Sequence, residues 1–174
     1  MMVNNRKRLL VSIIGCILLI IILNKIYINT RYVKQSEIKD YVLNNQELLN
    51  TFAQRLYQNQ EDSLFIYRKV SELPEDDYIF KVYGNLRIDR TVVYKDFYYN
   101  EDLIKIYLKY TPQSKDYYSC GLYYSPKNVT LDYYREVQPG DTYEYDGTPK
   151  GRKIRYKSEK ICDYWYYFEE DVWN

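Results

Sequence analysis

The hydrophobic pattern changes period as it runs along the chain. From Leu9 to Leu23 nothing is more polar than Ser12, Gly15 and Cys16, and after Asn24-Lys25 the apolar character resumes at Ile26-Tyr27-Ile28. At a helical rise of about 1.5 Å per residue this stretch covers roughly 30 Å, the thickness of a bilayer core. It predicts a transmembrane helix over 9–28, a basic tail over 1–8, a polar junction over 29–35 and a domain over 36–174. Beyond the junction the period becomes helical. Ile38, Tyr41, Val42, Leu48, Leu49, Phe52 and Leu56 fall on one stripe, and Ser36 stands where an N-cap belongs. The spacing predicts one amphipathic helix from Ser36 to near Asn59. Asn45 lies on the same stripe and argues for a coiled-coil seam. The pattern lasts under about three heptads, so docking on the chain's own sheet is the plainer expectation.

From Leu64 the pattern turns to strands. Leu64 to Val70 and Tyr78 to Tyr83 are β-rich and are separated by the turn-like Leu73-Pro74-Glu75-Asp76-Asp77. Ile88 to Tyr99 reads equally as strand or short helix. Ile104, Ile106, Leu108 and Tyr110 alternate with Lys105 and Lys109, which predicts a half-buried strand. Asn100-Glu101-Asp102 could also cap a helix over the same residues. Tyr117 to Tyr124 predicts the returning strand of a hairpin. Further candidates are Leu131 to Val137, a small hairpin of Tyr143 to Tyr145 against Ile154 to Tyr156, and Ile161 to Phe168 as one aromatic strand. The expected fold class is α+β: an N-terminal transmembrane helix, then one amphipathic helix on an antiparallel Tyr-rich sheet.

Charge gives the anchor a direction. Arg6, Lys7, Arg8, Lys25 and Arg31 are five of the 25 basic residues, and no acid precedes residue 32. The remaining 20 basic residues face all 24 acidic ones, so the domain is mildly acidic. A basic tail ahead of the apolar run places the N-terminus inside and the domain outside, although Arg31, Lys34 and Lys39 narrow that margin. Cleavage finds no small-residue site, because Ala53 is the single alanine. Ile13-Ile14-Gly15-Cys16 has the outline of a lipobox, but the apolar run continues past Cys16, which reads better as a small apolar residue in a helix. The expectation is a single-pass cell-membrane protein with an exoplasmic domain. No basic excess exists to neutralise phosphates, so nucleic acid is not an expected partner.

The chain has 24 tyrosines and no histidine. Without histidine it cannot build a Ser-His-Asp or Cys-His nucleophile pair or a His metal ligand. Three scattered cysteines without a CxxC give no zinc site either. The acidic runs Glu75-Asp76-Asp77, Glu101-Asp102 and Glu169-Glu170-Asp171 read as solvated turns. Asp141-x-x-Glu144-x-Asp146-Gly147 fails as a calcium loop, because Tyr143 and Tyr145 replace required acids. No catalytic residue, cofactor or metal site is predicted, and a hydrolase using paired carboxylates ranks last. Asn128-Val129-Thr130 is a glycosylation sequon that matters only in a eukaryotic secretory pathway.

Two features remain. Cys120 and Cys162 fall in predicted strands and form either a disulfide or two buried thiols. Tyr123, Tyr124, Trp165 and Tyr167 stand in aromatic clusters whose outward halves offer a binding surface. Cross-strand aromatic pairing within the sheet is the plainer reading of the same rings.

The segments CGLYYSP (Cys120 to Pro126) and ICDYWYYFEED (Ile161 to Asp171) resemble motifs of small membrane-anchored proteins of low-GC Gram-positive bacteria. The resemblance covers the C-terminal half. It implies a membrane segment, a helix and a short α+β domain, and it brings no activity. The leading functional expectation is a non-catalytic exoplasmic domain that binds a protein partner. The alternative is a module that binds cell-wall glycan or a small ligand through Tyr and Trp.

Overall fold

The computed structural model describes residues 34–58, 64–67, 70–95, 101–113 and 116–173. The predicted span 9–28 and its flanks lie outside them. Among the described residues no helix is long and apolar enough to cross a membrane.

The expected single helix is two. Helix α1 (Gln35–Asn44) ends at Asn45, whose φ of −132° and ψ of 29° leave the helical region. The Asn45 amide side chain donates to the Tyr41 carbonyl at 2.8 Å, the local bonding that lets asparagine compete with a helix. Helix α2 (Gln46–Gln58) restarts at once. The apolar stripe survives the break: Ile38 and Val42 on α1 and Leu49, Phe52, Ala53 and Leu56 on α2 are buried. Lys39 bonds Glu159 and Asn50 bonds Trp165, so the stripe docks on the chain's own sheet.

The expected strand over Tyr78–Tyr83 is instead helix α3 (Asp77–Leu86). Its residues are β-rich by type, but Ile79, Val82, Tyr83 and Leu86 repeat at helical spacing and are all buried. Asp76 caps it, its Oδ1 accepting from the backbone N–H groups of Tyr78 at 2.8 Å and Ile79 at 3.3 Å. Helices α2 and α3 meet through the Phe52 and Tyr83 rings, 6.2 Å apart, and the Arg55–Asp76 ion pair.

The strands are β1 (Leu64–Tyr67), β2 (Arg90–Tyr94), β3 (Leu103–Gln113), β4 (Asp116–Tyr124), β5 (Thr130–Leu131), β6 (Val137–Gln138), β7 (Thr142–Gly147), β8 (Lys153–Cys162) and β9 (Trp165–Trp173). Seven of them form one antiparallel sheet in the order β1-β2-β3-β4-β9-β8-β7. Two consecutive meanders, β1 to β4 and β7 to β9, are thus joined along a β4–β9 seam. Both expected hairpins are present, and Tyr145 lies opposite Tyr156. The ambiguous 88–99 region contains strand β2. The expected strand over Leu131–Val137 is a loop between β5 and β6, which pair only with each other.

The expected aromatic strand Ile161–Phe168 is split. Asp163 and Tyr164 turn the chain, with Tyr164 at φ 69°, and Cys162 lies opposite Trp165. No Gly or Pro marks this turn. It is held from outside: the Tyr164 N–H donates to Asn128 Oδ1, and the Ser125 N–H donates to the Tyr164 carbonyl, each at 2.8 Å.

Both sheet faces are covered at the centre, so Cys120–Tyr124 of β4 and Trp165–Phe168 of β9 read as continuous apolar runs rather than alternations. Val93, Ile104, Ile106, Leu122, Trp165 and Tyr167 face the helices. Val92, Tyr107, Tyr123, Tyr166, Phe168 and Val172 face the other way, packed with Leu131 and flanked by Val129 and Tyr133 of the 125–141 segment. That segment is strapped down. The Leu131 N–H donates to Tyr123 Oη, and Ser158 Oγ donates to the Leu131 carbonyl, each at 3.1 Å. The fold is α+β with a Tyr-rich antiparallel sheet, as expected, but with three α-helices among the described residues in place of the one amphipathic helix expected.

Candidate functional site

The register extends the helix-facing rows past Leu122 and Tyr167. One row runs Cys120, Glu169, Lys157 and Glu144 across β4, β9, β8 and β7; the next runs Tyr118, Asp171, Arg155 and Asp146. Apart from the buried Cys120, these rows line an open groove of about 620 Å³ that also includes Tyr145 and Tyr156. The alternation of sign follows from pairing, since unlike charges opposite each other stabilise antiparallel strands.

The charges meet in pairs. Arg155 Nη2 lies 3.0 Å from Asp171 Oδ2, Lys157 Nζ 3.6 Å from Glu144 Oε1 and Lys153 Nζ 3.9 Å from Asp146 Oδ1. All are substantially exposed, so each contributes about 1 kcal/mol or less. Their hydrogen-bonding capacity is therefore cheaply redirected to a ligand. Aromatic rings frame the array. Lys109 lies 5.4 Å from the Tyr118 ring centre, and Arg155 and Lys153 lie 4.7 and 5.2 Å from that of Trp173. Beside the floor, Tyr167 donates to Glu169 Oε1 at 2.6 Å. Burial, and then that bond, hold the Tyr167 phenol well above its ordinary pKa, so it remains a donor.

No family model matches the chain, and no curated protein or solved structure matches it either. The site must be read from its own chemistry. Among the described residues no cluster of three or more His, Cys, Asp or Glu side chains is placed to hold a metal.

The predicted aromatic surface is corrected. Tyr123, Trp165 and Tyr167 are 1%, 0% and 2% exposed, and Tyr124 is half-buried. Nor do the four share a face. Tyr123 stacks on its cross-strand partner Tyr166 at 4.7 Å on the strap side. Trp165 lies under the helices, donating from Nε1 to Asn50 Oδ1 at 2.8 Å, with Tyr124 5.3 Å away as its own cross-strand partner. Cross-strand ring pairing is the observed role of Tyr123, Tyr124 and Trp165; Tyr167 lies opposite Leu122 and donates to Glu169 instead.

The disulfide is corrected as well, because Cys120 and Cys162 are free thiols. Cys120 lies opposite Glu169 and Cys162 opposite Trp165, on the two strands that flank β9. At about 3.4 Å per residue and 4.8 Å per strand, their Cα atoms stand on the order of 16 Å apart, beyond the ~7 Å reach of a disulfide. Burial raises both thiol pKa values.

The groove residues Tyr118, Glu144, Asp146, Arg155, Lys157 and Asp171 were not legible as a site. Their signal is the period-two charge of Lys153-Arg155-Lys157 against Glu169-Asp171 and Glu144-Asp146. It becomes a pairing only once the C-terminal segment is folded at Asp163-Tyr164.

Proposed function

We propose that the protein is a non-catalytic binding module, held outside the cell membrane by residues 9–28, whose groove takes a cell-wall glycan or a similar polyhydroxylated ligand. The observation that carries this reading is the open groove itself: Tyr118 beside two rows of alternating carboxylates and cations. Sugar hydroxyls donate and accept, and the rows offer acceptors and donors side by side at the strand spacing of about 4.8 Å. Tyr118 offers a ring for a sugar's apolar face. The protein-partner reading, which leads on sequence alone, takes second place here and rests on Tyr134 and Val137, which are 47% and 50% exposed on the strap side.

The test uses the full chain in detergent micelles or nanodiscs with purified cell-wall glycan fragments. Saturable binding is expected, weakened about tenfold or more by Tyr118→Ala and by Asp171→Asn, roughly 1.4 kcal/mol each. Binding that both variants leave unchanged, or no binding, overturns the groove assignment. The anchor has its own test. A reporter fused after Asn174 is expected to be active outside the cell; activity only in the cytoplasm reverses the orientation.

A further inference from the structure

Lys105 on β3 and Glu170 on β9 are both buried on the strap side, with side chains 11% and 4% exposed. They do not lie on neighbouring strands. Strand β4 runs between them, and on that face it presents Gly121 between Tyr123 and Ser119. The Lys105 side chain reaches across to bring Nζ against Glu170 Oε1. Three rings surround the amine, with Phe168, Tyr107 and Tyr156 centred 4.2, 5.4 and 5.6 Å from Nζ. Ser119 Oγ donates to the other carboxylate oxygen, Oε2, at 3.0 Å. An amine and a carboxyl are thus held together in an apolar, ring-lined interior, each aimed at the other.

From this arrangement the geometry points to a modification site: an intramolecular amide bond between Lys105 Nζ and Glu170 Cδ, formed by the protein itself. In a low-dielectric interior the ion pair and the neutral pair interconvert by moving one proton from Nζ to Oε1. Burial disfavours the ammonium, and the nearby Arg90 and Arg135 charges push the same way, so the Lys105 pKa falls well below its ordinary value. The neutral pair is the reactive one. The Nζ lone pair attacks Cδ, and the C=O electron pair moves to Oε2, where the Ser119 hydroxyl meets it. A second Nζ proton passes to Oε1, the Cδ–Oε1 bond breaks, and water leaves. The amide keeps one hydrogen on nitrogen and Oε2 as its carbonyl oxygen. No oxidant or outside reactant is needed. Proximity lowers the barrier, since well-oriented intramolecular groups react with effective molarities of about 10⁵–10⁸ M, and the apolar burial of the pair keeps bulk water from the product.

The experiment is mass spectrometry on the full chain, purified from membranes and denatured before measurement. The wild type is expected one water lighter than its sequence mass. A digest is expected to give a branched peptide joining the Lys105 and Glu170 segments. Lys105→Met and Glu170→Ala are each expected to restore the sequence mass. Glu170→Gln is expected to lose ammonia and give the same product as the wild type. A wild-type chain at full sequence mass, with separate Lys105 and Glu170 peptides, overturns the proposal whether or not any variant folds.

Discussion

At Gly121 a Cβ would stand 1.9 Å from the Ile106 carbonyl oxygen, next to the register shift of β3 between Tyr107 and Lys109. Backbone cannot give way as the tip of a side chain can. Gly121→Ala is therefore expected to cost about 3 kcal/mol or more, read as a lowered urea midpoint. Single residues also explain much of what the sequence hid. Asn45 looks like one more position on an apolar stripe, yet its side-chain bond to Tyr41 ends a helix. Tyr164 carries a positive φ that its residue type does not announce, and the bond that supports it comes from Asn128, far away in the chain. Such turns are fixed by tertiary partners, so no local rule finds them.

At the level of elements, period proved more telling than residue type. The alternation over Ile104–Tyr110 gave β3 correctly, and the helical stripe over Ile38–Leu56 survived the break at Asn45. The β-rich types over Tyr78–Tyr83 misled, because Ile79, Val82, Tyr83 and Leu86 carry the deciding spacing. The helices are tied down partly by carboxylates, which makes their docking sensitive to acid. The hydrogen bond from Lys39 is the largest cause lowering the Glu159 pKa; burial opposes it. Asp76 is also lowered: burial pushes it up, and bonds from Arg55, Tyr78 and Ile79 outweigh that. A carboxylate whose folded pKa is depressed adds stability above its unfolded pKa, near 4, and loses it as pH falls through the folded value. Below about pH 4, α1 is expected to loosen from β8, seen as faster hydrogen exchange at Ile38 and Val42. The effect of this half-exposed pair should be at most about 1 kcal/mol, and Glu159→Gln should remove that part of the pH dependence.

Over the whole molecule, the fold class was legible and the groove was not. An antiparallel sheet with helices follows from the succession of periods. The groove depends on which rows the helices leave open, and that depends on how the two meanders are brought side by side. The aromatic residues that dominate the sequence were the natural candidates for a surface; their size made them the core instead, with Tyr123, Trp165, Tyr166 and Phe168 among the most deeply buried side chains.

The β4–β9 seam has a consequence in time. Within each meander the partners are close in sequence; the longest connection, 68–89 between β1 and β2, contains α3. The seam must wait for β5 to β8 to be threaded round before Tyr118 finds Asp171 and Cys120 finds Glu169. Pairings distant in sequence are the slow ones, since loop-closure entropy is spent before contacts repay it. The floor of the groove is laid across that seam, so a newly made chain gains the groove only with its slowest folding step.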